Sequence, residues 1–142
     1  MVLISVTRLR IRSPRFLPSF AVYTLRSLLQ ARKAGGFVAG ALLPDRERTF
    51  WTMTLWQSEE AMRTFMSSGA HRQAMPKLMH WCDEAAVVRW QQAEAALPGW
   101  GEADRRLRAE GRASKVLHPS ADHEDLSYRA PSARGVVRIR PA

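Results

Sequence analysis

The chain has 142 residues and a 46% hydrophobic fraction, enough for one packed domain with a tail and short for two full domains. Its 22 Lys+Arg against 13 Asp+Glu give a net charge of +9, so nucleic acid and acidic surfaces must be weighed against a plain solvated basic surface. No apolar run approaches the ~20 residues that span a bilayer. The opening MVLISVTRLR carries its charges after its apolar residues, the reverse of a secretory signal, and Cys82 is alone, so a reducing cytoplasm is the expected compartment.

Val2 to Arg12 reads as the first strand. Val2, Ile4 and Val6 share one face, and Leu3, Ser5, Thr7, Leu9 and Ile11 share the other. The Val/Ile face is expected to meet helices. Arg8, Arg10 and Arg12 continue its parity and suggest a strand end running out into solvent. Ser19 to Lys33 reads as the first helix, with Ala21, Leu25, Leu28 and Leu29 as its inward stripe and Arg32 and Lys33 at its negative end. Phe20 and Tyr23 fall off that stripe, which leaves two readings: they face a cavity or partner, or they widen the core face. Phe37 to Leu43 is the second strand, and the polar PDRER turn leads into a third antiparallel to it.

Phe50 to Trp56 alternates. Trp51, Met53 and Leu55 make an apolar face suited to a core; Phe50, Thr52, Thr54 and Trp56 mix aromatics with hydroxyls and suit a cavity wall or subunit contact. Ser58 is a helix N-cap, with Glu59 and Glu60 against the positive helix end. Met62, Phe65 and Met66 form an inward stripe, Gly69 ends the helix, and Pro76 starts a second short one, with His71 in the link. Glu84 to Gln91 is the fourth strand.

The order β-α-β-β-α-β is that of a ferredoxin-like α+β sandwich. Its helix-free face would carry Phe50, Thr52, Thr54 and Trp56, too apolar to leave wet, so a second identical chain packed sheet to sheet is expected to cover it. Composition changes at Leu97, which divides the chain into an α+β domain, 1–97, and a C-terminal extension, 98–142. Trp100 to Glu110 is a mixed-charge helix candidate. Ser114 to Leu117 and Gly135 to Arg140 are short strand candidates in a partly disordered extension.

The runs SVTRLRIRSPRFLPSF and TFWTMTLWQSEEAMRTFMSSGAHRQAMPKLMHW resemble the spheroidene-monooxygenase-like family, within the antibiotic-biosynthesis-monooxygenase-like superfamily of dimeric α/β barrels. The resemblance covers residues 2–91, and GRASKVLHPS is similar to the tail of uncharacterised members. It implies a homodimer and a monooxygenase-like protein acting on a hydrophobic small molecule in a barrel cavity. In the GAHR block it places His71 on a cavity-lining helix, as haem ligand or proton shuttle. Haem is thus a possible cofactor, though no cofactor is fixed by the residues. Trp51 and Trp56 would pack the substrate, with core packing as the other reading, and Thr52 and Thr54 would orient it. Arg89, on a strand among apolar residues, would pair a propionate or other anion, or else an acid at the sheet edge.

No metal site is expected: His80 and Cys82 are only a pair, and HPSADHED (His118, Asp122, His123, Glu124) lies in loop. GxSxG, GxGxxG, HExxH and glycine-rich phosphate loops are absent, which suits cofactor-free oxygenation as well as haem. A non-catalytic module binding haem or a small ligand is the alternative. A nucleic-acid surface built from Arg8, Arg10, Arg12, Arg134, Arg138 and Arg140 is the third reading and is not expected, because no stacking aromatics are interleaved.

Overall fold

A computed structural model describes residues 1–132 and 135–142. The elements are β1 (Val2–Ile11), a 3-10 turn (Pro14–Phe16), α1 (Leu17–Lys33), β2 (Phe37–Asp45), β3 (Thr49–Trp56), α2 (Glu59–Met66), α3 (Gly69–Trp81), β4 (Cys82–Gln92), α4 (Trp100–Glu110), β5 (Arg112–Ala113) and β6 (Val137–Ile139). Among the described residues six antiparallel strands form one sheet in the order β5-β4-β1-β3-β2-β6. The first four strands and their helices are ferredoxin-like, and residues 98–142 add a strand at each edge and a helix on one face.

The register decides the two faces. Ser5 lies opposite Thr54 and Arg89, and Thr7 opposite Thr52 and Val87, so these side chains share a face. α1, α2 and α3 cover that face, where Leu3, Phe37, Trp56, Met62 and Phe65 pack as one cluster. Ile4, Val6, Trp51, Met53, Leu55 and Val88 point the other way and are sealed by Ala103 and Leu107 of α4 and by Tyr128. The expected orientation is therefore reversed. Helices lie on the Thr52/Thr54/Trp56 side, and the chain's own extension covers the Val/Ile side. The argument for a second copy from a bare aromatic–hydroxyl face falls with it.

Two helices also differ from expectation. α1 turns Phe20, Tyr23, Leu28 and Ala31 inward, and leaves Ala21, Leu25 and Leu29 exposed with Val22. α2 begins as expected, Ser58 accepting from the Ala61 amide at 3.1 Å. However, α3 starts at Gly69, whose φ of 59° makes the bend, and runs through Pro76. The Pro76 ring removes one amide donor from the helix, and its exposed position leaves water free to satisfy the orphaned carbonyl. His71 thus lies in the first turn of α3 rather than in a link. Gly36, in the turn from α1 to β2, takes φ 85° and lies under α2, where a Cβ would come 2.5 Å from that of Ala61.

The arginine row is not a solvated strand end. Arg8 is 6% exposed and pairs with Glu84 at 2.6 Å, and Arg10 reaches Glu84 at 3.2 Å and Asp83 at 3.5 Å. Burial without such partners would be costly for a guanidinium. Tyr128 stacks on the Arg8 guanidinium, 4.0 Å from its Cζ to the ring centroid. Arg12 donates to the His80 carbonyl at 2.7 Å. Arg8 is thereby withdrawn from any phosphate; Arg138 and Arg140 are exposed, and Arg134 lies outside the described residues.

Candidate functional site: a cavity between sheet and helices

A cavity of about 390 Å³ lies between the sheet and α1–α3, within the size range of small-molecule sites. Its floor is the hydroxyl face already described. Ser5 and Thr7 of β1 stand beside Thr52 and Thr54 of β3, a patch of four hydroxyls on paired strands. None of the four makes a side-chain hydrogen bond to the protein among the described residues. Walls come from Phe20, Trp56, Phe65 and Leu78. Ser114, Lys115 and Val116 of the extension close one side, and exposed Met75, Arg112 and Lys115 mark the mouth. The tail wall is fixed through His123: its Nδ1 accepts from the Ala85 amide at 3.3 Å and its Nε2–H donates to the Ser114 carbonyl at 2.8 Å.

His71 stands in the cavity wall, held from three sides. Gln30 Oε1 accepts from its amide at 3.0 Å, Phe65 packs on its ring at 4.8 Å, and its Nδ1 is 3.2 Å from the Met66 carbonyl. A carbonyl only accepts, so Nδ1 carries the proton and Nε2 keeps a lone pair. Nε2 has no protein partner among the described residues. Burial holds the imidazole below its ordinary 6.5, the Met66 bond pulls upward, and nearby Arg89 adds to the lowering. A neutral imidazole with one free nitrogen can take a proton or ligate iron.

Arg89 enters the cavity from β4, one strand from Ser5. Its Nη2 touches the Met66 sulfur at 3.3 Å, and its Nε is buried with no hydrogen-bond partner. Of the residues expected to meet substrate, Thr52, Thr54 and Trp56 line this cavity together with His71 and Arg89. Trp51 does not: it is fully buried on the opposite face, against Trp100 and Tyr128. The alternation itself separated Trp51 from Trp56. Tyr23, read with Phe20 as facing a cavity or partner or as widening the core face, lines the cavity, and so do Ser5, Thr7, Arg112 and Lys115, which sequence reasoning missed. The shared parity of Ser5 and Thr7 with Leu3 and Leu9 was the available signal. A smaller cleft of about 150 Å³ on the other face holds four basic and four acidic side chains, among them the Arg8–Glu84 pair, which neutralise one another.

Several solved structures share this fold. SnoaB from Streptomyces nogalater, a cofactor-independent oxygenase, is 16% identical, with a TM-score of 0.54 over 69% of this chain and 98% of that one. Rv0793 from Mycobacterium tuberculosis is 12% identical, with a TM-score of 0.61 over 68% and 100%. A protein from Chloroflexus aurantiacus J-10-fl, classed provisionally as an antibiotic biosynthesis monooxygenase, is 13% identical, with a TM-score of 0.52 over 70% and 100%. At these identities the likeness is one of fold alone. No curated protein matches the sequence. A family model matches residues 26–115, more than half of the chain, and the chain belongs to that family, described as a domain of unknown function (DUF3291).

Proposed function

We propose that this chain is a monooxygenase-like protein that takes a hydrophobic small molecule into the cavity and acts on it with oxygen. The observation that carries the proposal is His71, a neutral imidazole with a free Nε2 in the wall of a largely apolar cavity. Nε2 removes a proton from an acidic C–H or O–H of the bound molecule. Arg89 faces the anion so formed, and the floor hydroxyls orient it. Trp56, rather than Trp51, supplies the indole wall. The substrate carbanion, itself the reductant, adds molecular oxygen to form a C–O bond. The peroxide anion regains the proton from His71 and loses water to leave a carbonyl, in a site that the helices screen from solvent. The oxygenase chemistry of SnoaB supports this reading.

Haem suits the same donors: one imidazole, an aromatic wall and cations for propionates. Bound haem would supply oxygen activation; His71 would hold its iron and Arg89 would pair with a propionate. The finer placement among spheroidene-monooxygenase-like proteins belongs to this proposal and rests on the SGAHR block. A homodimer belongs to it too, on changed ground: Val22, Leu25 and Leu29 form an exposed apolar stripe on α1. Light scattering would return twice the chain mass if that is right. Among the described residues no helix is long and apolar enough to cross a membrane. A cytoplasmic location is proposed from the lone thiol of Cys82.

Oxygen uptake with a panel of phenols and aromatic ketones bearing acidic C–H bonds tests the chemistry. The wild-type chain should consume oxygen with a member of the panel, and His71→Ala should lose about 10²- to 10⁴-fold. Uptake unchanged in His71→Ala overturns the assignment; binding without uptake favours the non-catalytic module. A haem titration should give a Soret shift that His71→Ala abolishes, and no shift removes the haem form.

A further inference from the structure

The cavity is one-sided in charge. Arg89, Arg112 and Lys115 line it with His71, and among the described residues no carboxylate does. Arg112 of β5 lies directly opposite Val87, and Arg89 is two residues along β4 on the same face. Two arginines are therefore diagonal neighbours in the cavity wall, and like charges in that relation repel. Arg112 indeed disfavours the Arg89 charge, after burial itself. Among the described residues none of the three cations forms an ion pair. Yet the chain pairs its arginines elsewhere, since buried Arg8 and half-buried Arg10 on the other face meet Glu84 and Asp83. The acid nearest in effect on Arg89, Glu59, is held by Arg63 at 2.7 Å. Arg89 also keeps a buried Nε–H with no acceptor, beside Ser5. A buried donor without an acceptor costs stability unless something brings one.

We propose that the ligand of this cavity is an amphipathic anion: an apolar, preferably aromatic body with one carboxylate seated between Arg89, Arg112 and the Ser5 hydroxyl. The carboxylate accepts from the terminal Nη groups of Arg89 in charge-assisted hydrogen bonds. Lys115 at the mouth draws the anion in. The body lies along Trp56, Phe65 and Phe20. The extension therefore contributes recognition as well as cover. This rests on the cavity being the ligand site proposed above, and it adds the charge of what enters.

The test is a calorimetric titration of the full chain with three matched ligands: naphthoate, naphthylmethanol and naphthylmethylammonium. Naphthoate should bind about ten- to a hundredfold more tightly than the alcohol, the range expected for charge-assisted hydrogen bonds, and the ammonium most weakly. Raising the salt concentration should shrink the preference. Arg89→Gln should bring acid and alcohol within about threefold of each other, with Arg89→Lys intermediate because it keeps the charge and loses the fork. Arg112→Ala, an exposed change on a two-residue edge strand, guards against a folding defect and should lower the preference on its own. Equal binding of acid and alcohol overturns the charge inference and leaves the cavity reading standing. Failure of all three ligands to bind overturns both.

Discussion

Replacing Glu84 by Gln should unlatch the extension from the sheet. The Glu84 side chain is 3% exposed and its partner Arg8 is 7% exposed, with 2.6 Å between Oε1 and Nη1. The other oxygen, Oε2, accepts from Ser120 Oγ at 2.6 Å and Arg10 at 3.2 Å. Glutamine keeps the shape, removes the charge and leaves the Arg8 cation buried without its counter-ion. Breaking one side of a buried pair costs about 3–5 kcal/mol, a large part of the roughly 5–15 kcal/mol that holds a domain together. With a urea slope of about 2 kcal/mol/M, the unfolding midpoint followed by tryptophan fluorescence should fall by about 2 M. The acid limb should change as well. Burial would raise the Glu84 carboxyl, but hydrogen bonds from Ser120 and Arg8 outweigh it and hold the group below its ordinary 4.5. A depressed carboxylate stabilises the fold above 4.5, and that contribution is lost as pH falls through the folded value. Glu84→Gln should lack this part of the acid sensitivity. A loss under about 1 kcal/mol at neutral pH, the range of exposed pairs, would refute the reasoning.

Leu107→Ala, at a fully buried position of α4, should cost about 2–5 kcal/mol by urea unfolding; an unchanged midpoint would mean that α4 does not pack on the Trp51 face. The substrate-dependent rate should fall on the acid side with a midpoint below 6.5, because burial disfavours protonated His71 and only the neutral imidazole accepts a proton. That limb should vanish from whatever activity His71→Ala retains, as a pH–rate profile would show. Cys82, fully buried and pushed up to about 12 by burial and by Asp83, should resist an aromatic disulfide reagent at pH 8 in the folded chain and react at once in urea.

The strands, α1 and α2 of the first 92 residues were legible because their periods are clean, and Ser58 announced its cap, whereas α3 was misplaced because Gly69 and Pro76 read as helix punctuation but open the helix and sit inside it. The parity of Phe50 to Trp56 separated the two sheet faces. It could not say which face the helices take, because neither meets water: one is closed by α1–α3 and the other by α4 and Tyr128. The aliphatic stripe Ala21/Leu25/Leu29 drew the wrong side of α1 inward, since a ligand cavity is walled by Phe20, Tyr23 and hydroxyls rather than by leucine. Arg8 read as solvated because its partner lies 76 residues away. Arg112 and Lys115 were unreadable for the same reason: their place in the cavity comes from the long-range pairing of β5 with β4. Within the site, His71, Arg89, Thr52, Thr54 and Trp56 do converge, and Trp51 fell outside because its parity was overruled by its chemical appeal.

The last third of the chain also governs how the sheet presents its rims. Both outermost strands belong to it, and they are two and three residues long. Short terminal strands offer little unpaired backbone for a neighbouring molecule to zip onto. Cutting the chain after Glu110 would bare the long strands β2 and β4 together, so one lesion would create two sticky margins and turn a dispersed protein toward fibre-like stacking.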